Sequence, residues 1–350
     1  MSTASDTLHD GPRAVGAPRR AAVVVCAVVA IAAAFALSVG FGSRFVSLDE
    51  IGEGLSMWVR GRTAESIGAI AVQERIPRTV LAMMAGAALA LSGAIMQAIT
   101  RNPIADPGIL GVNTGAALFV VCGIAFLGAS STFAYLGLAL AGGTLAAGFV
   151  YVVGSVGAGG ATPIKLALAG AATTAALSSL VSAVLLPRAA AMNEFRFWQV
   201  GGTGGADWGA MATVAPLLGV AAVVALASSS GMNALALGDD VAVGLGVNVA
   251  RTRAVTALAG VALCAGTTAL CGPIAFVGLM IPHIVRMLTG PDQRWLLPLS
   301  AAGGAVLLML ADTAGRVIGS PSEVEAGILT AFLGAPVLVV IARRTRMRAL

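Results

Sequence analysis

Polar side chains interrupt this chain more than they compose it, and the apolar runs between them are long. A helix needs about 20 mostly apolar residues to cross a bilayer. Ten such runs can be placed, at 21–41, 79–99, 108–128, 133–155, 165–186, 210–229, 253–271, 273–288, 295–313 and 325–342. The eighth is short and broken by Pro282. The runs are too long and too uniformly apolar for barrel strands, which leaves helices as the spanning element. The pattern predicts an all-α, polytopic membrane protein with about ten transmembrane helices. Residues 1–20 are polar, contain Pro and Gly, and read as a disordered tail. The apolar run after Arg19-Arg20 is about twenty residues, longer than the core of a signal peptide, and reads as a retained first span. Residues 21–350 are then one transmembrane domain.

Two stretches of the pattern nearly repeat. Asn102-Pro103-Ile104-Ala105-Asp106-Pro107-Gly108-Ile109-Leu110 echoes Gly272-Pro273-Ile274-Ala275-Phe276-Val277-Gly278-Leu279-Met280. Each follows an apolar helix with an Ala-Gly-x-Ala-Leu core, Ala85–Leu89 in the first and Ala259–Leu263 in the second. An odd number of spans separates the copies, so one is inverted relative to the other. Chance similarity between Ala/Gly-rich helices is the alternative, and the shared Pro-Ile-Ala-x-x-Gly string opposes it. Inverted halves with Gly/Pro-interrupted helices are a transporter signature.

Composition agrees with the pattern. Hydrophobic residues make up 58% and charged residues 11% of the 350, too little charge to cover a soluble domain. Of the 21 Lys and Arg, a topology with both termini in the cytoplasm puts eight outside: Arg44, Arg60, Arg62, Arg75, Arg78, Arg188, Arg196 and Arg316. Seven of those eight lie in two longer external segments, 42–78 and 187–209, where the positive-inside bias is weak. A pI near 9.6 therefore reports topology and not nucleic-acid binding.

Several chemistries are missing. The one lysine, Lys165, is followed by Leu166, so no P-loop is present. His9 and His283 cannot build a metal centre with Cys26, Cys122, Cys264 and Cys271 at usual spacings, and those cysteines read as packed thiols. No string of intramembrane acids suggests a proton relay. Asp239-Asp240 lacks the second acidic motif of a prenyl-diphosphate enzyme. Energy for uphill movement would come from another polypeptide.

The segment between the sixth and seventh spans, about 230–252, is too polar and Gly-rich to cross. Leu235-Ala236-Leu237 and Val241-Ala242-Val243 can make short amphipathic helices there, with Asp239 and Asp240 at a helix start, where negative charge is favoured. Asn102 to Gly111 reads as a tight cytoplasmic turn in which Asp106 caps the next helix. Thr173, Thr174, Ser178, Ser179 and Ser182 form a weakly polar stripe on span five; such hydroxyls either bond the helix's own carbonyls or line a path. Phe195, Phe197, Trp198, the glycines 201, 202, 204 and 205, Asp207 and Trp208 suggest a short helix at the outer mouth, its aromatics also compatible with an interfacial belt.

Together the strings Arg75-Ile76-Pro77-Arg78, Gly86–Gly93, Met96-Gln97, Arg101–Val112, Leu235–Gly238, Gly272–Arg286, Leu310-Ala311-Asp312 and Leu333–Pro336 resemble the FecCD-type permeases of ABC importers over nearly everything after residue 43. The resemblance implies the type II importer fold and a cargo of ferric siderophore, with cobalamin or haem as alternatives. It implies a second permease subunit, identical or paired, two ABC ATPases carrying the ATP and Mg²⁺, and an extracytoplasmic substrate-binding protein. This chain itself would hold no cofactor and no catalytic residue, and would sit as a multi-pass protein in the cytoplasmic membrane. Residues 230–252 would be the coupling loop that docks in the ATPase, through Leu235, Leu237, Gly238, Asp239, Asp240 and Gly244. Arg75, Arg78 and Arg316 would receive acids of the binding protein. Thr162 and Pro163 would form the inner gate, with Thr173, Thr174 and Ser178 along the path. An ion-coupled secondary carrier is the rival from another class.

Overall fold

Every regular element among the described residues is helical, as runs this apolar require. The structure is a computed structural model and describes residues 17–103, 105–157 and 162–346. Residues 1–16 of the expected tail, Ile104 and Arg348 lie outside the described residues, while Ala17–Arg20 already form the first turn of a helix.

The chain runs through α1 (Ala17–Gly40), a short α2 (Leu48–Val59), α3 (Ile67–Thr100), α4 (Val112–Leu127), α5 (Thr132–Ser155), α6 (Pro163–Leu185) and a short α7 (Ala189–Val200). It continues with α8 (Trp208–Ala227), two small helices α9 (Ser229–Ala236) and α10 (Asp239–Gly244), then α11 (Val249–Cys271), α12 (Val277–Thr289), α13 (Gln293–Ile318) and α14 (Ala326–Arg346). Seven of these, α1, α3, α5, α6, α8, α11 and α13, are long and apolar enough to cross a membrane. The expected count of about ten is corrected to that extent. The third, eighth and tenth expected spans exist as apolar helices, but α4 and α12 have only 16 and 13 residues, and α14 is apolar from Ala326 only as far as Ala342, before Arg343 and Arg344.

α3, α11 and α13 form the interior. Glycine sets how closely they cross. A Cβ on Gly86 would sit 2.1 Å from the Gly304 carbonyl oxygen, and one on Gly93 would sit 1.9 Å from that of Gly278, so α3 meets α13 and α12 backbone to backbone. Ser92 Oγ donates to the Gly260 carbonyl at 2.5 Å, tying α3 to α11 across the two repeats. Gln97 Nε2 donates to the carbonyls of Gly278 and Leu279, both at 3.2 Å, while its Oε1 accepts from Arg286 at 3.0 Å. Each repeat therefore has one construction: a long buried helix, a left-handed break at Arg101 (φ 50°) or Gly272 (φ 69°), and a short helix after it.

The first break is not a tight surface turn. Arg101 pairs with Asp239, which also meets Arg253 near the start of α11. Asn113 instead accepts from Thr268 at 3.0 Å, fifteen residues further along α11, and α11 rises about 1.5 Å per residue. Residues 102–111 thus climb about 20 Å along α11. Asp106 caps a single 3-10 turn, Pro107–Leu110, by accepting from Gly108 N at 2.7 Å. α4 has no side-chain cap; it starts at Gly111, whose φ of 74° suits glycine. α4 is short because it begins part-way through the protein.

Candidate coupling and outer-mouth sites

The site expected at the outer face is built from the end of α1. A helix leaves its last four carbonyls without intrahelical partners. Here Leu37 O accepts from Phe41 N, Ser38 O from Arg316 at 3.0 Å, and Val39 O and Gly40 O from Arg75 at 3.2 and 2.9 Å. Arg75 also donates to Arg44 O at 2.7 Å, and Arg316 to Phe41 O at 3.1 Å. Two guanidiniums from α3 and α13 therefore complete the C-terminus of α1, the end where positive charge is favoured. Gly42 permits it, because a Cβ there would lie 2.7 Å from Arg75 Nη2.

This corrects the expectation that Arg75 and Arg316 stand free for an acidic partner. They are 6% and 2% exposed, and their Nη groups donate within the chain. Arg78 is held differently. Its Nε lies 2.8 Å from Asp312 Oδ1 and its Nη1 2.5 Å from Glu323 Oε2. Thr203 Oγ1 donates to the same Asp312 oxygen at 2.5 Å. Arg316 Nε sits 3.0 Å from Asp312 Oδ2, an ion pair whose angle falls outside hydrogen-bond geometry. Asp312 is fully buried, Glu323 is partly open to solvent, and Arg78 lies between them.

Two segments close around this cluster. The Gly-rich stretch after α7 threads between the second break and α14: Gly202 N donates to Cys271 O at 2.8 Å and Gly327 N to Gly201 O at 3.0 Å. A Cβ on Gly201 would meet Pro273 O at 2.3 Å, which is why small residues fill the loop. Phe195 is wholly buried and packs on Trp198 at 5.7 Å between ring centroids, so these two anchor α7 and do not form an interfacial belt. Trp208 is half-exposed and stacks on Trp58 of α2 at 6.5 Å. α2 is fastened to the start of α3 by Glu53, which accepts from Ser66 Oγ at 2.7 Å and from the amides of Ser66 and Glu65. Those bonds hold the Glu53 carboxyl below the usual carboxylate range.

The site expected at the inner face is the α9–α10 pair. Asn233 pins α9 to the start of α13, donating to Asp292 at 2.7 Å and accepting from Gln293 N at 2.9 Å. Gly238 breaks the two helices apart with a φ of 116°, a value glycine supplies. α10 begins at Asp239, with Asp239 and Asp240 in its first turn, as the sequence suggests. Asp239 is bound: it pairs with Arg101 at the end of α3 and with Arg253 of α11 at 2.9 Å. Leu235 is 1% exposed and forms a small core with Ala234 and Ala242, which corrects its expected place at a contact surface. Leu237, by contrast, is 64% exposed, and Val241, Val243 and Leu245 stand out beside it. Asp240 is exposed, and Gly244 has open space around it.

The expected path residues lie on α6. Thr162 is the N-cap and accepts from Lys165 N at 3.4 Å, with Pro163 as the first helical residue. Thr173 donates back to Ala169 O at 2.7 Å, Ser179 to Ala175 O at 2.9 Å and Ser182 to Ser178 O at 3.0 Å, so three hydroxyls of the stripe are satisfied inside the helix. Thr174 is half-buried near Gly111, while Ser178 and Ser179 are exposed on a face that also carries Ala171, Ala172, Ala175 and Ala176. The cysteines are free; Cys264 and Cys271 are packed as expected, but Cys26 is exposed on α1. Among the described residues no group of three His, Cys, Asp or Glu could hold a metal.

Asp312, Thr203 and Glu323 were not marked as site residues by sequence reading. The signal was available as Asp312 and Arg316 at i,i+4 inside an apolar run, where unpaired charge is costly.

A FecCD transport family model matches residues 29–344. The chain belongs to the FecCD transport family. It is 41% identical over 311 residues to the ferric enterobactin transport system permease protein of Escherichia coli (strain K12), covering 89% of this chain and 92% of that one. A probable siderophore transport system permease protein of Bacillus subtilis (strain 168) is 39% identical, covering 92% and 96%. A solved structure described as an inward-facing metal-chelate type ABC transporter superposes with a TM-score of 0.79 at 28% identity, covering 93% of this chain and 99% of that one. This FecCD protein is thus a membrane-spanning permease of the ABC transporter class.

Proposed function

We propose that this FecCD permease carries a ferric siderophore inward across the cytoplasmic membrane, as one of two permease subunits driven by two separate ABC ATPases and fed by an extracytoplasmic binding protein. Both termini are then cytoplasmic, and α9–α10 faces the ATPase. The observation that carries the reading is the inner site. Apolar side chains of α10 and its flanks are left uncovered, while Asp239 joins the same helix to α3 and α11, the long helices of the two repeats. A push on α10 is delivered to both halves at once, which is the mechanical need of alternating access.

At the outer face, Arg78 would be the arginine that meets a binding protein; the partial exposure of its second carboxylate, Glu323, supports that reading. The exposed small-residue face of α6, with Ser178 and Ser179, suits either close approach of a second subunit or a polar wall for the cargo. Thr162 and Pro163 at its start then lie at the inner mouth.

Reconstitution tests the reading. The permease, its ATPase and its binding protein in proteoliposomes should take up ferric enterobactin or a ferric hydroxamate only with internal ATP. Uptake by the permease alone under a proton gradient would replace the ABC reading with a secondary carrier. Selective uptake of haem would keep the machine and change the cargo; a hemin transport system permease of Yersinia pestis is 35% identical to this chain.

A further inference from the structure

We propose that a trough between α1 and α13 binds one anionic phospholipid of the cytoplasmic leaflet. The trough has a volume of about 580 Å³ and is walled by Val24, Ala27 and Ile31 on α1 and by Pro298, Leu299 and Ala302 on α13. Walls of this kind give water no hydrogen-bond partners. The α1 wall runs seven residues, about 10 Å, or about two thirds of one leaflet's hydrocarbon depth, and the α13 wall faces it over about 6 Å. An acyl chain fits this shape and surface.

The cationic end names the headgroup. Arg294 and Trp295 line the trough where α13 begins. Arg20 brings its guanidinium to 5.5 Å from the Trp295 ring centroid, and its Nε is buried with no hydrogen-bond partner. Buried donors are seldom left that way, so an acceptor belongs here. Arg294 reaches only Ser230 Oγ, at 3.3 Å, among the described residues. The carboxylate of the same turn, Asp292, is engaged by Asn233 at 2.7 Å and by the Arg294 amide at 3.1 Å. Two guanidiniums flank a tryptophan at a helix start, beside an apolar slot. Arginine matches a phosphate bidentately, tryptophan favours the headgroup level, and basic pockets between membrane helices take anionic headgroups. The leaflet follows from the proposed topology, and the lipid class follows from the charges.

Native mass spectrometry of the full-length permease tests this, with phosphatidylglycerol and phosphatidylcholine of identical chains as probes. One phosphatidylglycerol per chain should be retained in preference to phosphatidylcholine. Arg20→Gln and Arg294→Gln should each lower that retention about five-fold, and together about thirty-fold, without changing phosphatidylcholine. Ala302→Leu should lower both lipids by filling the slot. Replacing both arginines by lysine should keep most of the preference, which separates lost charge from lost fold. Equal retention of the two lipids, wild-type retention by the double glutamine variant, or full competition by free glycerol phosphate would overturn the site. Efficient disulfide cross-linking of two Ala27→Cys chains that also carry Cys26→Ala would do so too, since a second copy would then cover the trough.

Discussion

The two ends of this permease treat their chemistry in opposite ways. At the outer end, three arginines that look available in the sequence are held inside the fold: two complete the C-terminus of α1, and the third bridges Asp312 and Glu323. At the inner end the polar groups are also paired, but apolar side chains at Leu237, Val241, Val243 and Leu245 are left in the open. A folded chain satisfies its buried charges first, because leaving one unpaired is expensive. What it leaves unsatisfied is then a better pointer to a partner than what it charges. By that criterion the α9–α10 face is the better candidate for docking, and the arginine cluster is mostly scaffold.

The largest expected effect strikes the scaffold. Asp312→Ala would strand Arg78 and Arg316 in the interior without their shared carboxylate, a loss of about 3–5 kcal/mol. Purified variant should melt well below the wild type and insert poorly, whether or not a binding protein is present. If its thermal stability matched wild type, the outer cluster would not be the clamp inferred from its geometry.

The inner end separates fold from docking within one short loop. Leu235→Ala removes a buried anchor from the small core with Ala234 and Ala242, and should cost that unit about 2–3 kcal/mol. Hydrogen exchange should then quicken across residues 237–247. The same truncation at Leu237, two residues away and exposed, should leave exchange unchanged. Equal exchange in the two variants would dissolve the distinction between the buried and open faces of α9–α10.

Much of this was legible from hydropathy, and the misses share a cause. The ends of α5 and α11 fall where the apolar runs end. α3, however, begins at Ile67 and not at 79, because Glu74, Arg75, Pro77 and Arg78 lower the local hydropathy although the helix continues through them. Hydropathy counts a charge as wet; it cannot see that Arg75 caps another helix. Residues 102–111 read as a surface turn for a related reason. Pro and Gly announce irregular backbone, but whether it lies at the surface or climbs along α11 depends on contacts such as Asn113 with Thr268. The α9–α10 pair was legible as two short helices, and only the burial of Leu235 required the fold.

A middle-sized effect tests the docking surface itself. Leu237→Asp or Val241→Asp places a charge where an apolar contact is expected, at about 1–3 kcal/mol per lost anchor. Co-purification with the ATPase should fall about five- to a hundred-fold while the melting temperature of the isolated permease stays put. Undiminished co-purification for both variants would move the ATPase contact elsewhere and remove the contrast between the two faces.

The smallest effect decides whether Arg78 belongs with the scaffold or with the docking surface. Its pairing with Glu323 is partly solvent-exposed, so the pair is worth at most about 0.2–1 kcal/mol to stability, and Glu323→Gln should barely move the melting temperature. If Glu323 occupies Arg78 until an acidic side chain of the binding protein replaces it, the same substitution removes a competitor. Docking should then strengthen a few-fold at low salt, and the gain should shrink as salt rises, because exposed charges are screened over about 10 Å at 0.1 M. Arg78→Gln should weaken docking in the same assay without affecting ligand capture by the free binding protein. Asp312 and Thr203 would hold the guanidinium in place throughout, at 2.8 and 2.5 Å along one chain of contacts, so the exchange needs only the loop of Glu323 to yield. A Glu323→Gln variant that docks no better at any salt would make Arg78 structural like its two neighbours, and the whole outer arginine set would then belong to the fold.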